Sequence, residues 1–259
     1  MSDSAGAPQR VLVTGGADGI GLAITRAFVS AGARVYVADV NGDAVAAVTA
    51  SADAITGSVC DITDPAAVTA MFEDLVAALG GLDVLVNNAG ISGPTAPVHE
   101  YAPEAWDAVV AVNLTGTFDV TRRATPLLKE SPTGSIIVMS SLAGRFGYPN
   151  RVAYSTTKWG LVGFTKTLAL ELGPFGITAN SIHPGGVEGE RVRQVLRGRA
   201  ELSGRSVEEE TERALDNQSI RRFADPADIA ALAVFLAGPH GRSISGQVLP
   251  IDGDSKTAH

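Results

Sequence analysis

The stretch Tyr154-Ser155-Thr156-Thr157-Lys158 sets a phenol and an ammonium four residues apart. On a helix that spacing puts them one turn apart on one face. A phenol ordinarily titrates near ~10 and is a poor base at neutral pH. A cation beside it stabilises the phenolate; a shift of about three units corresponds to roughly 4 kcal/mol of differential interaction. The pair is then a general acid/base poised near neutrality. The same spacing also arises by chance, so its meaning depends on what the rest of the chain brings beside it.

Arg10-Val11-Leu12-Val13-Thr14 reads as a short strand that runs into Gly15-Gly16-Ala17-Asp18-Gly19-Ile20-Gly21 and then into a helical pattern from Leu22 to Ala31. Strand, glycine-rich turn and helix in that order form the context of a dinucleotide fingerprint. Gly15 is expected to make the tight turn, Gly19 to let the backbone approach a pyrophosphate, and Gly21 to let helix and strand pack closely. The anion then falls on the helix N-terminus, where free N–H groups and the helix dipole favour negative charge. A second strand, Arg34 to Ala38, ends at Asp39. A carboxylate there accepts hydrogen bonds from the adenosine ribose hydroxyls and repels a 2′-phosphate, which favours NAD over NADP. Asp18 adds a negative charge where a phosphate-binding cation would help, and points the same way.

Further strands are expected at Ile55–Val59, Leu82–Val86, Gly134–Met139, Ile177–Ile182 and Gln247–Ile251. They alternate with helices at Gly42–Thr49, Pro65–Leu79, Pro103–Lys129, Val152–Leu172 and Asp225–Ala237. The valine- and isoleucine-rich strands read as buried on both faces. The expected fold class is α/β: a single-domain, Rossmann-type doubly wound parallel sheet of about seven strands with helices on both faces. Asp61 ends the third strand and either reaches an adenine amino group or caps a turn. Asn113 is an amide in the apolar run Val109–Leu114, where it needs a hydrogen-bond partner. Residues 1–9 read as a disordered leader and 10–259 as one domain. Glu188–Gln218, dense in charges of both signs, reads as a mobile substrate lid with Arg191 or Arg193 facing an anionic or polyhydroxylated substrate.

The chain has 259 residues, 45% hydrophobic and 19% charged, and a formal charge of −8. That balance fits a globular protein and argues against nucleic acid or an anionic membrane surface as a partner. The lone Cys60 excludes an intramolecular disulfide, fits a reducing, cytoplasmic compartment, and reads as a buried thiol. No run approaches the ~18 apolar residues of a membrane span, and no metal-ligand cluster stands out. His99 reads as an exposed loop residue and His183 as packed before Pro184.

Taken together, Thr14-Gly15-xxx-Gly19-Ile20-Gly21, Asn87-Asn88-Ala89-Gly90, Asn113, Ser141, Tyr154-xxx-Lys158, Pro184-Gly185 and Asp252-Gly253 resemble the classical short-chain dehydrogenase/reductase family, in family order from Val11 to Gly253. The resemblance implies Tyr154 as general acid/base and Ser141, thirteen residues before it, as the group steadying the substrate oxygen. It implies that Lys158 holds the nicotinamide ribose and that Asn113 holds a relay water. Cofactor contacts are implied at Gly15, Asp18, Gly19, Ile20, Asp39, Cys60, Asp61, Ile62, Asn88, Ala89, Gly90, Tyr154, Lys158, Pro184, Gly185 and Val187. Ser92, Leu142, Tyr148 and Arg191 are expected to line the substrate pocket. The family often has threonine where this chain has Gly189. The expected activity is NAD-dependent hydride transfer between a small-molecule secondary alcohol or carbonyl and nicotinamide, in a homotetramer built on the helices bearing Asn113 and Tyr154. The alternatives are an NADP-dependent 3-oxoacyl reductase and, in another class, a catalytically silent dinucleotide-binding regulator or scaffold.

Overall fold

A computed structural model describes residues 7–258. Seven strands, β1 (Arg10–Thr14), β2 (Arg34–Asp39), β3 (Ile55–Val59), β4 (Val84–Asn87), β5 (Ser135–Met139), β6 (Thr178–Pro184) and β7 (Val248–Ile251), form one sheet. Every pairing is parallel, in the order β3-β2-β1-β4-β5-β6-β7. The order reverses between β1 and β4, and that switch point opens a crevice outside the carboxyl ends of the strands.

Side chains alternate along each strand, so one strand feeds two cores. Leu12 and Leu85 pack with Leu75, Leu128 and Leu161 on one face. Those three leucines come from α3 (Pro65–Leu79), α5 (Thr117–Lys129) and α6 (Val152–Leu172). Val11, Val13 and Val86 pack with Ile24, Phe28 and Ile229 on the other, where α1 (Gly19–Ser30) and α9 (Pro226–Ala237) lie and α2 (Gly42–Thr49) adds Val45 and Val48. Phe28 is 0% exposed, and burying such a side chain contributes about 1.5–3 kcal/mol.

The sheet is the doubly wound one expected from the alternation of apolar strands and helices. Several boundaries differ. The first helix begins at Gly19, not Leu22, because Asp18 caps it by accepting from the Gly19 N–H at 2.7 Å. The helix expected from Pro103 to Lys129 is three pieces: α4 (Pro103–Val110), a π-helical turn over Ala111–Gly116, and α5. β6 extends through His183 and Pro184, which pair with Pro250 and Ile251 on β7. Of the expected leader, Met1–Gly6 lie outside the described residues. Gln9, also placed there, is tied in: its carbonyl accepts from Arg34 N at 2.8 Å and its amide donates to Ala237 O at 2.9 Å. The segment after β6 carries α7 (Glu190–Ser203) and α8 (Val207–Asp216). Among the described residues no helix is long and apolar enough to cross a membrane, and no His/Cys/Asp/Glu group could hold a metal.

Candidate active site

The cradle at the switch point is built by close backbone approach. A Cβ on Gly21 would lie 1.8 Å from Gly15 O, so the first turn of α1 touches the β1 loop only because glycine stands there. In front of Gly19 there is nothing within 4 Å, so the helix N-terminus faces open space. Asn88 closes the other side: its amide donates to Thr14 O at 3.1 Å and Gly15 O at 2.8 Å. Thr14 Oγ1 accepts from the Asn88 and Ala89 N–H groups, each at 3.1 Å. Asp39 is aimed at the loop: Oδ2 accepts from Ala17 N at 3.2 Å and Oδ1 from Asn41 N at 3.1 Å. An open helix N-terminus, a narrow glycine turn and a carboxylate at the end of β2 fit a nicotinamide dinucleotide.

Residues beyond β3 line the same edge. Cys60 donates its N–H to Asp39 O at 2.9 Å, and burial, with the charges of Asp61 and Asp64, pushes its thiol up to about 11, so it is protonated at neutral pH. Asp61 is exposed, with Oδ1 accepting from Thr63 N and Oγ1 at 2.9 and 2.8 Å. Ile62 packs against Gly116 of the π turn, where a Cβ would fall 2.8 Å from it. At the far end, a Cβ on Gly185 would lie 2.9 Å from Asp252 Cα. Val187 bridges to Ala224.

The chemical end is organised around α6. Lys158 is 5% exposed, its Nζ donates to Met139 O at 2.8 Å and lies 5.7 Å from the centre of the Tyr154 ring. Burial, reinforced by the charge of Arg191, pulls its ammonium down to about 7. A Cβ on Gly90 would sit 3.4 Å from that Nζ, so the loop after β4 passes directly over the lysine. The two serines after β5 part company. Ser140 is buried and donates its hydroxyl to Lys158 O at 2.8 Å. Ser141 is half-buried and accepts from Ala143 N at 3.1 Å, which leaves its proton for an outward acceptor.

Asn113 is 0% exposed. Its Oδ1 accepts from Ile91 N at 2.8 Å, and its Nδ2 donates to Ile91 O at 2.9 Å and Thr157 Oγ1 at 3.0 Å. Both amide protons are committed; one Oδ1 lone pair stays available to a water. The π turn presents this amide sideways, between the Gly90–Ile91 loop and α6, in a geometry regular α-helix does not offer.

On the substrate side, Arg191 Nη2 donates to Gly90 O at 2.6 Å, whereas Arg193 and Arg197 pair with Glu190 on the exposed face of α7. Arg191 therefore faces the cleft mouth and Arg193 does not. Ser92 O accepts from Arg151 Nη2 at 3.3 Å. Leu142 opens the short turn after Ser141, and the Tyr148 hydroxyl meets Arg199. Gly189 adopts φ +140° with nothing within 4 Å, so this backbone, not a steric limit, excludes the threonine common there. His99 is exposed beside Glu100. His183 is buried, as expected, but it also bonds the Ser141 carbonyl. Sequence reasoning missed the bond of this histidine to Ser141, which lies on the neighbouring strand's loop, and missed Arg151 altogether.

Fold and cleft define a Rossmann-type dinucleotide-binding protein. A family model described as enoyl-(acyl carrier protein) reductase matches residues 15–253. D-beta-hydroxybutyrate dehydrogenase of Cupriavidus necator is 39% identical over 251 residues, 95% of this chain and 96% of that protein. The 3-oxoacyl-(acyl-carrier-protein) reductase FabG of Thermotoga maritima is 35% identical over 93% of this chain and 95% of its own. The crystal structure of NAD⁺-bound xylitol dehydrogenase superposes with a TM-score of 0.91 at 30% identity, over 95% of this chain and 98% of that one. The chain belongs to the classical short-chain dehydrogenase/reductase family, and is an oxidoreductase of that family.

Proposed function

We propose that the protein is an NAD-dependent dehydrogenase of a small secondary alcohol, working reversibly on the corresponding carbonyl, with Tyr154 as the proton-exchanging group. The observation that carries this reading is the placement of Tyr154 and Lys158 on one face of α6, with the lysine buried under the Gly90 loop. When bound, the nicotinamide dinucleotide accepts or supplies the hydride at the carbinol carbon. The chain's own residues do the rest. Ser141 donates its free proton to the substrate oxygen and steadies developing negative charge. Tyr154 takes the hydroxyl proton during oxidation and returns it during reduction. Lys158 orients the ribose and sets the electrostatics around the phenol, and Asn113 holds the Ile91 loop and a relay water.

Asp39 selects NAD: a carboxylate at the end of β2 accepts hydrogen bonds from ribose hydroxyls and repels a 2′-phosphate. The 188–218 segment is the substrate lid of a single catalytic domain, and the pocket is lined by Ser92, Leu142, Tyr148 and Arg191. Exposed Phe118 on α5, and Trp159 and Leu170 on α6, support a homotetramer interface on those helices. The reducing compartment that a lone buried thiol fits is the cytoplasm. The similarity to FabG favours a second reading, an NADP-dependent 3-oxoacyl reductase. Tyr154→Phe tests the chemistry: it should retain NAD binding and lose turnover in an NAD⁺-reduction assay across alcohols, and full activity in that variant removes the tyrosine from the mechanism.

A further inference from the structure

Beside the cleft, a cavity of about 240 Å³ lies between the loop at Thr95, the loop at Tyr148–Arg151 and the two lid helices. Its wall holds a physical anomaly. Arg151 is 5% exposed, and among the described residues no carboxylate pairs with it. Nη1 donates to Thr95 Oγ1 at 3.0 Å and Nη2 to Ser92 O at 3.3 Å, while the buried Nε has no partner. Buried cations are ordinarily paired, because desolvation is costly and a neutral acceptor compensates only part of it.

A second guanidinium converges on the same spot. Arg199 Cζ lies 5.5 Å and Arg151 Cζ 5.7 Å from the centre of the Tyr148 ring, and Arg199 also bonds the Tyr148 hydroxyl. Ring faces offset little of two positive charges. The one acid on the wall, Glu210, is committed to Ser203 at 2.8 Å and Arg205 at 3.1 Å. Arg213 adds a further cation. In a chain of formal charge −8, this is a locally positive, open-mouthed site.

We infer that Arg151 and Arg199 form an anion subsite for the substrate's carboxylate, so that the substrate class is short hydroxy acids and their keto counterparts. A planar fork of N–H donors matches a carboxylate, and Arg151, whose Nε–H is buried, keeps a second proton on each Nη uncommitted. Arg151 Cζ also lies 5.3 Å from the centre of the Tyr154 ring. Arg151 is thus shared between the cavity wall and the surroundings of Tyr154. The inference rests on the reading of Tyr154 given above and names the substrate of that site.

The test separates binding from turnover. Tyr154→Phe protein loaded with NAD⁺ is titrated calorimetrically with 2-hydroxybutanoate, 3-hydroxybutanoate and 4-hydroxypentanoate, with the methyl ester of the best binder, with the matching neutral diol, and with the diol's phosphate monoester. One of the acids should bind, and the ester and diol should bind at least about tenfold more weakly, as expected when a charge-assisted hydrogen bond is lost. Adding Arg199→Met, on the partly exposed lid, should weaken the acid by about tenfold and leave the diol unchanged. Arg151→Lys, which keeps the charge if Arg151→Met fails to fold, should weaken the acid less than Arg199→Met does. Equal binding of acid and ester, no binding of any acid, an unaffected Arg199→Met variant, or preference for the phosphate ester overturns the carboxylate assignment. Turnover by Tyr154→Phe would overturn the catalytic reading alone and leave these binding outcomes standing.

Discussion

The imidazole Nδ1 of His183 lies 2.9 Å from the carbonyl oxygen of Ser141, and its Nε2 lies 3.0 Å from Ser181 Oγ. A carbonyl can only accept, so Nδ1 carries the proton and Nε2 accepts from the serine hydroxyl. The ring is 0% exposed, and burial, with the nearby charges of Arg145 and Lys158, draws it down to about 4 against the donated bond to Ser141. A neutral histidine on β6 thus fixes the backbone of the serine proposed to hold the substrate oxygen.

Acid stability should carry this histidine's signature. Its folded value of about 4 lies below the ordinary 6.5, so the unfolded chain binds the extra proton first. The stabilisation is complete above about pH 6.5, is lost as pH falls toward about 4, and totals on the order of 3 kcal/mol. Urea unfolding from pH 7.5 to 4 should show the slope, and His183→Gln should flatten it. An unchanged slope in that variant assigns the dependence elsewhere.

Cofactor specificity should respond to Asp39 through charge. Asp39→Asn removes the repulsion, and its single amide oxygen keeps only one of the two bonds that the carboxylate accepts from the Ala17 and Asn41 N–H groups. The ratio of kcat/KM for NADPH over NADH should rise by about tenfold or more, with the lost hydrogen bond costing about 1 kcal/mol of stability.

The cradle is intolerant at one atom. Gly21→Ala puts a Cβ against Gly15 O, which should lower stability by about 1–3 kcal/mol and weaken NADH binding measured by fluorescence. Gly147→Ala, with nothing within 4 Å of its added Cβ, should do neither.

Arg191 should tune Lys158. Its charge is the second cause, after burial, of the lysine's descent to about 7. Arg191→Ala should therefore raise the Lys158 midpoint in the free enzyme, followed by the pH dependence of amine labelling. Arg193→Ala, whose guanidinium pairs with Glu190, should leave it in place.

Much of this was readable in the chain because the signals were local. Val11–Val13 before a glycine turn, Pro226 after Asp225, and a tyrosine four residues from a lysine are patterns of neighbours. The π turn left no such trace, since one extra residue per turn leaves the apolar run Val109–Leu114 unchanged in composition. The bond from His183 to Ser141 and the place of Arg151 left no trace for the same reason. Their partners, Ser141 and the pair Ser92 and Thr95, lie 42, 59 and 56 positions away, and only the folded sheet brings them together.

Thr157 Oγ1 accepts from Asn113 and donates to Tyr154 O at 2.9 Å, so Ile91, Asn113, Thr157 and Tyr154 are joined by one unbroken run of hydrogen bonds. Three separate segments share that run, and neither Arg151, Arg199 nor Tyr148 belongs to it. The division makes the molecule modular in an evolutionary sense: the residues proposed to recognise substrate can be exchanged while the hydrogen-bonded framework that carries Tyr154 is inherited intact.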